Sequence, residues 1–135
     1  MSTPVILFAC VHNSGRSVAA RLLTEHHANS TVTARSAGSE PEGSVNPIVA
    51  EVLAERGLST DQERPTLLDH HAVSGADVVI TMGCGETCPI FPGKRYEDWA
   101  VDDPAGQDLE TARRIVDDID GRVRNLLDSL EVSGP

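Results

Sequence analysis

The chain has 135 residues and a formal net charge of −10 at neutral pH, which predicts one domain with room for a real core and disfavours nucleic-acid or anionic-membrane partners. Three cysteines are an odd count, and the first ten residues carry no basic region and too short an apolar run for a signal peptide or a membrane span. These features predict a cytoplasmic protein whose thiols are redox-active, metal-binding or inert rather than locked in structural disulfides.

Val5 to Ala9 is a short, wholly apolar run, as in a strand buried on both faces. Ser17 to His27 reads as a helix, with Val18, Ala19, Leu22 and Leu23 at helical spacing. Thr31 to Arg35 is a second strand, expected to end at the turn "SAG". The stretch "NPIVAEVLAERG" is a helix with Asn46 as cap, Pro47 at its first position and Gly57 just past its end. A polar segment rich in turn formers follows, in which the adjacent His70 and His71 are expected at a solvated loop edge. Asp77 to Met82 is a third, buried strand, and "KRYEDWAV" holds a fourth, shorter one. From Leu109, the residues Ala112, Ile115, Ile119, Val123, Leu126 and Leu130 recur every three or four positions, the stripe of a long amphipathic helix. Residues 131–135 are expected to fray. Alternating strands and helices predict an α/β fold, a parallel sheet flanked by helices on both faces. Such sheets bind ligands at the carboxyl ends of their strands, where Cys10 and Cys84 fall.

"CVHNSGRS" joins the first strand to the first helix. A loop of this length can curl so that its backbone N–H groups point inward, and the helix N-terminus adds partial positive charge. Val11, His12, Asn13, Ser14, Gly15, Arg16 and Ser17 would then form a cradle for a tetrahedral oxyanion. Gly15 supplies freedom for an unusual backbone angle. Asn13 and Ser14 can bond the loop and hold its shape. Arg16 offers a planar, permanently charged fork for two oxygens. Cys10 sits at the centre, where the N–H groups, Arg16 and the Ser17 hydroxyl are expected to favour the thiolate.

Asp102 and Asp103, in "VDDPAG" before the last helix, are candidates for a general acid that protonates an oxygen leaving the bound anion. Cys84 and Cys88, in "MGCGETCP", are poorly suited to structural zinc, because no second cysteine pair exists to complete four ligands. A disulfide needs Cα atoms about 4.4–6.8 Å apart. Residues four apart lie roughly 6 Å apart in a helical turn and roughly 13 Å apart when extended. The pair can therefore bridge only if this segment coils, and a dithiol beside a nucleophilic thiolate suits a thiol relay.

Cys-x5-Arg-Ser after the first strand, with a late Asp-Pro before the last helix, resembles the low-molecular-weight protein tyrosine phosphatases. "TMGCGETCP" and "DWAVDDPAG" look like the thioredoxin-coupled arsenate reductases built on that fold, and the likeness covers nearly the whole chain. It implies a four-stranded parallel sheet, with Cys10 as nucleophile, Arg16 and Ser17 as loop ligands and Asp103 as acid. Cys84 and Cys88 would be the relay pair, thioredoxin the electron donor, and no cofactor would be tightly bound. The chain departs from the better-known members in three ways. It has Gly15 where they carry a further cysteine, a closer relay pair, and Arg21 where they place an acidic residue in a potassium site, so potassium is not carried over. The alternatives are a phosphatase, an arsenate reductase using a low-molecular-weight thiol with a glutaredoxin-like partner, and a non-catalytic oxyanion or metalloid sensor. One Tyr, one Trp and two Phe offer little to grip a phosphotyrosine ring.

Overall fold

A computed structural model describes residues 4–13, 15–28, 31–40, 43–61, 63–82, 95–104 and 106–130. The apolar run forms β1 (Val5–Cys10), and α1 (Arg16–Ala28) follows it. Next come β2 (Thr33–Gly38), α2 (Pro47–Glu55) and α3 (His70–Ser74). The chain then runs through β3 (Val78–Thr81), β4 (Arg95–Asp98) and α4 (Leu109–Ser129).

The strands form one parallel sheet in the order β2-β1-β3-β4. β1 lies inside and is buried on both faces, which is why its sequence is apolar without alternation. Even-numbered Ile6, Phe8 and Cys10 face a core shared with α1, α2 and α4, whereas Leu7 and Ala9 face a smaller one with Leu68 and Val73. The connection from β1 leads outward to β2, and the next returns across β1 to β3. The strand order therefore reverses beside β1, and sheets of this kind bind their ligands at the carboxyl end of that position. Cys10 is the last residue of β1, in register with Gly38 of β2.

Two expectations are corrected. Ser36, Ala37 and Gly38 do not turn; they continue β2, with Ala37 and Gly38 buried and paired to β1. Gly38 also pairs on its other side, through a parallel bridge to Leu67. His70 and His71 begin α3, which Asp69 caps by accepting the Ala72 N–H at 2.8 Å. Short polar helices of this kind lack the repeat that reveals long ones. The tail at 131–135 lies outside the described residues. No described helix is long and apolar enough to cross a membrane.

The punctuation of α2 is as expected: Asn46 Oδ1 accepts the Ile48 N–H at 2.9 Å, Pro47 opens the helix, and Gly57 follows at φ 78°. In α4, Ile115, Ile119, Val123 and Leu126 are buried, each such side chain contributing about 1.5–3 kcal/mol. Asp108 caps that helix and accepts the Thr111 N–H at 2.8 Å. Hydrogen bonding from Thr111, first by its side chain and then by its backbone, holds the Asp108 carboxyl below its ordinary titration. A lowered folded-state value stabilises the protein above the ordinary aspartate value of about 3.9, and that contribution is lost as pH falls through the lowered value. Asp108→Ala is therefore expected to reduce Tm at pH 7, and the gap to the parent should close in strong acid. Thermal melts at both pH values measure it; a gap that persists in acid would point to packing rather than to the ionised cap.

Candidate active site

Beyond Cys10 the chain has to turn from the sheet into α1 within a few residues. Asn13 takes the sharp step, at φ 52°, a left-handed conformation that short polar side chains tolerate better than most. Gly15 was expected to supply the unusual angle, but the described positive-φ glycines are Gly57 and Gly106. Gly15 instead packs closely: a Cβ there would sit 3.4 Å from both Pro104 Cγ and Val49 Cγ2, near ordinary van der Waals contact. Asn13 wins the turn because its side chain is bonded at both ends. Its Oδ1 accepts the Thr66 N–H at 2.7 Å and its Nδ2 donates to Ser17 Oγ at 2.8 Å.

Those two bonds give the site a direction. The Thr66 N–H can only donate, so it selects the carbonyl end of the Asn13 amide, and the NH₂ end must face Ser17. Ser17 Oγ then accepts from Asn13, and its own proton is left for Cys10 Sγ, 3.0 Å away. Asn13 and Ser17 are fully buried and Cys10 is 2 % exposed, so this chain of donors is shielded from competing water. The sequence placed Asn13, Ser17 and Cys10 together. Thr66, 53 residues further on, carried no signal.

Gly38 lies directly against the loop. A Cβ built on it would be 2.6 Å from the Val11 carbonyl oxygen, 2.8 Å from Asn13 N and 2.9 Å from Asn13 Cβ. The same glycine donates its N–H to Thr66 O at 2.8 Å and accepts from Leu68 N at 2.7 Å, which brings Thr66 to Asn13. Reading "SAG" as a turn hid this contact.

Arg16 opens α1 and reaches across to the loop before α4. Its guanidinium donates to Val101 O at 3.4 Å and lies 3.8 Å from Asp103 Oδ2, a loose ion pair with a half-exposed carboxylate. Asp103 is the aspartate brought to Arg16; Asp102 lines a different cleft, with Thr111, Arg114 and Asp118 of α4. Trp99, packed on Phe8 with ring centroids 5.8 Å apart, anchors the start of this loop.

Arg21, one turn past Ser17, donates from Nε to Ala34 O at 3.1 Å and from NH1 to Glu63 Oε2 at 2.7 Å, and it pairs with Glu25 at 3.0 Å. A guanidinium thus ties α1 to β2 and to the segment leading to Thr66. Among the described residues, no group of three or more His, Cys, Asp or Glu side chains could hold a metal ion. Ser14, Cys84 and Cys88 lie outside the described residues. Val11 and His12 form the outer half of the loop, clipped to Glu40.

This arrangement presents a buried thiol, a donor aimed at its sulfur, a guanidinium at the start of a helix, and a carboxylate within reach of that guanidinium. A family profile described as low molecular weight phosphotyrosine protein phosphatase matches residues 5–134. An arsenate reductase of Staphylococcus xylosus is 30 % identical over 128 residues, 93 % of this chain and 97 % of that one. A solved structure from Corynebacterium glutamicum, described as a thioredoxin-dependent arsenate reductase, is 45 % identical with a TM-score of 0.83; it covers 96 % of this chain, which spans 63 % of that longer one. An arsenate reductase structure from Archaeoglobus fulgidus is 36 % identical with a TM-score of 0.80, covering 91 % of this chain and 98 % of that one.

Proposed function

The chain belongs to the low molecular weight phosphotyrosine protein phosphatase family, and from that premise we propose that it reduces arsenate to arsenite with electrons from thioredoxin. The observation that carries the proposal is the joining of Cys10, through Ser17 and Asn13, to a loop whose Arg16 also reaches Asp103. The likeness to arsenate reductases along nearly the whole chain supports the choice of substrate. The Corynebacterium relative supports the choice of donor.

In the proposed mechanism the cradle N–H groups and Arg16 bind arsenate, and the Cys10 thiolate attacks arsenic. Asp103 protonates the departing oxygen, which leaves as water. The Cys84 thiolate then attacks the Cys10 sulfur. The Cys10–Cys84 disulfide forms, the sulfur–arsenic bond breaks, and its electron pair leaves with arsenic, reduced from the pentavalent to the trivalent state. Cys88 next attacks Cys84, which frees Cys10 and leaves a Cys84–Cys88 disulfide for thioredoxin to reduce.

A phosphatase would use the same Cys10, Arg16 and Asp103. Of the described aromatic residues, however, Phe8 and Trp99 are buried in the core and Tyr96 is half-buried on β4 against the smaller core. The deciding experiment compares arsenate-dependent NADPH oxidation, in the presence of thioredoxin and its reductase, with hydrolysis of an aryl phosphate. Arsenate turnover well above aryl phosphate hydrolysis supports the proposal; the reverse would make the protein a phosphatase.

Asp103→Asn is expected to cut turnover roughly 10²–10⁴-fold with oxyanion binding nearly intact, the usual range for loss of a general acid. Asp102→Asn should cost far less, because Asp102 faces α4 rather than Arg16. Steady-state kinetics of both variants check this, and equal losses would mean that loop shape, not a proton donor, was disturbed.

A further inference from the structure

His12 occupies the third position of the oxyanion loop, and neither the proposed chemistry nor the Asn13–Ser17 chain uses it. Its ring is exposed, yet Nδ1 lies 3.1 Å from the carbonyl oxygen of Glu40, two residues past the end of β2. A carbonyl oxygen can only accept, so Nδ1 carries a proton and donates it. Glu40 meanwhile donates its own N–H to Val11 O at 2.7 Å, and Ser39 donates to Cys10 O at 3.2 Å. Cys10, Val11 and His12 are thus clipped in succession to residues 39 and 40. The first two clips are backbone bonds that any sequence could make. The third depends on a side chain.

The place of that third clip matters. The peptide between His12 and Asn13 is where the backbone leaves β1's path for the left-handed step at Asn13. From Asn13 onward the loop is fixed by Thr66 and Ser17. Before it, the loop is fixed by Ser39, Glu40 and the close approach of Gly38. His12 closes the junction between these two halves, and so bears on the direction in which the loop N–H groups point.

We infer that His12 is a positioning residue for oxyanion binding: its Nδ1–H, held by the Glu40 carbonyl, keeps the loop in its anion-binding shape. The inference rests on the cradle reading of residues 10–17. Three substitutions separate the Nδ1 donor from the ring and its charge. Asn places an amide nitrogen at the δ position, Gln places one at the ε position, and Ala places none.

The test measures protection of Cys10 from iodoacetamide by inorganic phosphate, with each cysteine followed by mass spectrometry. His12→Ala and His12→Gln should weaken phosphate protection roughly five-fold, the loss of about one net hydrogen bond. His12→Asn should stay within about two-fold of the parent. The KM for arsenate should follow the same order, with kcat little changed. Asn no better than Gln would overturn the inference, because the ring rather than the δ donor would then matter. Protection unchanged in the Ala variant, with or without a shift in Tm, would overturn it too. Failure of phosphate to protect the parent protein would overturn the cradle reading itself, a result distinguishable from the other two.

Discussion

Cys88→Ser is expected to release about one equivalent of arsenite per enzyme and then stall with thioredoxin as the sole reductant. In the proposed relay Cys10 and Cys84 suffice for one reduction, because each thiolate contributes one sulfur to the disulfide that leaves two electrons on arsenic. Cys10 is 2 % exposed and its sulfur faces Ser17, so a Cys10–Cys84 bridge would offer thioredoxin poor access. Cys84→Ser should fail earlier, with little arsenite even in a single turnover. A phosphatase would be indifferent to both changes, and a route using a low-molecular-weight thiol would turn over in both only in a parallel assay that supplies that thiol with a glutaredoxin. Arsenite released per enzyme, with mass spectrometry of the disulfide formed, reads the result. Continued multiple turnover by Cys88→Ser with thioredoxin alone would sink the three-cysteine relay in favour of a single-cysteine mechanism.

Gly38→Ala is expected to lower kcat/KM for arsenate by roughly 10²-fold, although Gly38 touches no substrate in the proposed mechanism. The new Cβ would meet the Val11 carbonyl oxygen at 2.6 Å and Asn13 N at 2.8 Å. Both are backbone atoms of the loop between β1 and α1, so the clash cannot be relieved by turning a side chain, and the loop must shift. A displacement on the order of 1 Å in a site that depends on aligned donors commonly costs about that factor. Overpacking should also remove about 1–3 kcal/mol of stability. Steady-state kinetics and urea denaturation measure the two effects separately. Activity within about three-fold of the parent would mean that the loop has slack the geometry does not show.

The readable parts of the sequence were those with local causes. The apolar run Val5 to Ala9 announced a doubly buried strand, and the helical stripe ending at Leu126 and Leu130 announced α4. Asn46, Pro47 and Gly57 marked α2 through caps that act within a turn. Cys10, Arg16 and Ser17 were legible as a candidate site because the groups of one short loop stand close together in the chain, and the structure joins Cys10 to Ser17. Asp103 was legible only as one of two neighbouring aspartates. Its separation from Asp102 follows from where Arg16 points, which the sequence does not state.

The sequence by itself determined the layered α/β architecture, the strand that delivers Cys10, and the chemical kinds of the groups around it, since all of these follow from periodicity, capping and short spacings. Only the tertiary structure decided that Asn13 rather than Gly15 makes the left-handed turn, and that Thr66 orients the Asn13 amide. Only it revealed that β2 runs on through "SAG" so that Gly38 can press against the loop, and that His12 is tied to Glu40. The physical reason is long-range: the pairing of β1 with β2 carries Gly38 and Glu40 to the loop, and the bridge from Gly38 to Leu67 brings Thr66 to Asn13. The Asn13 amide and the His12 ring find a backbone N–H and a backbone carbonyl as their partners, groups that nearly every residue carries and that therefore leave no mark on composition or spacing.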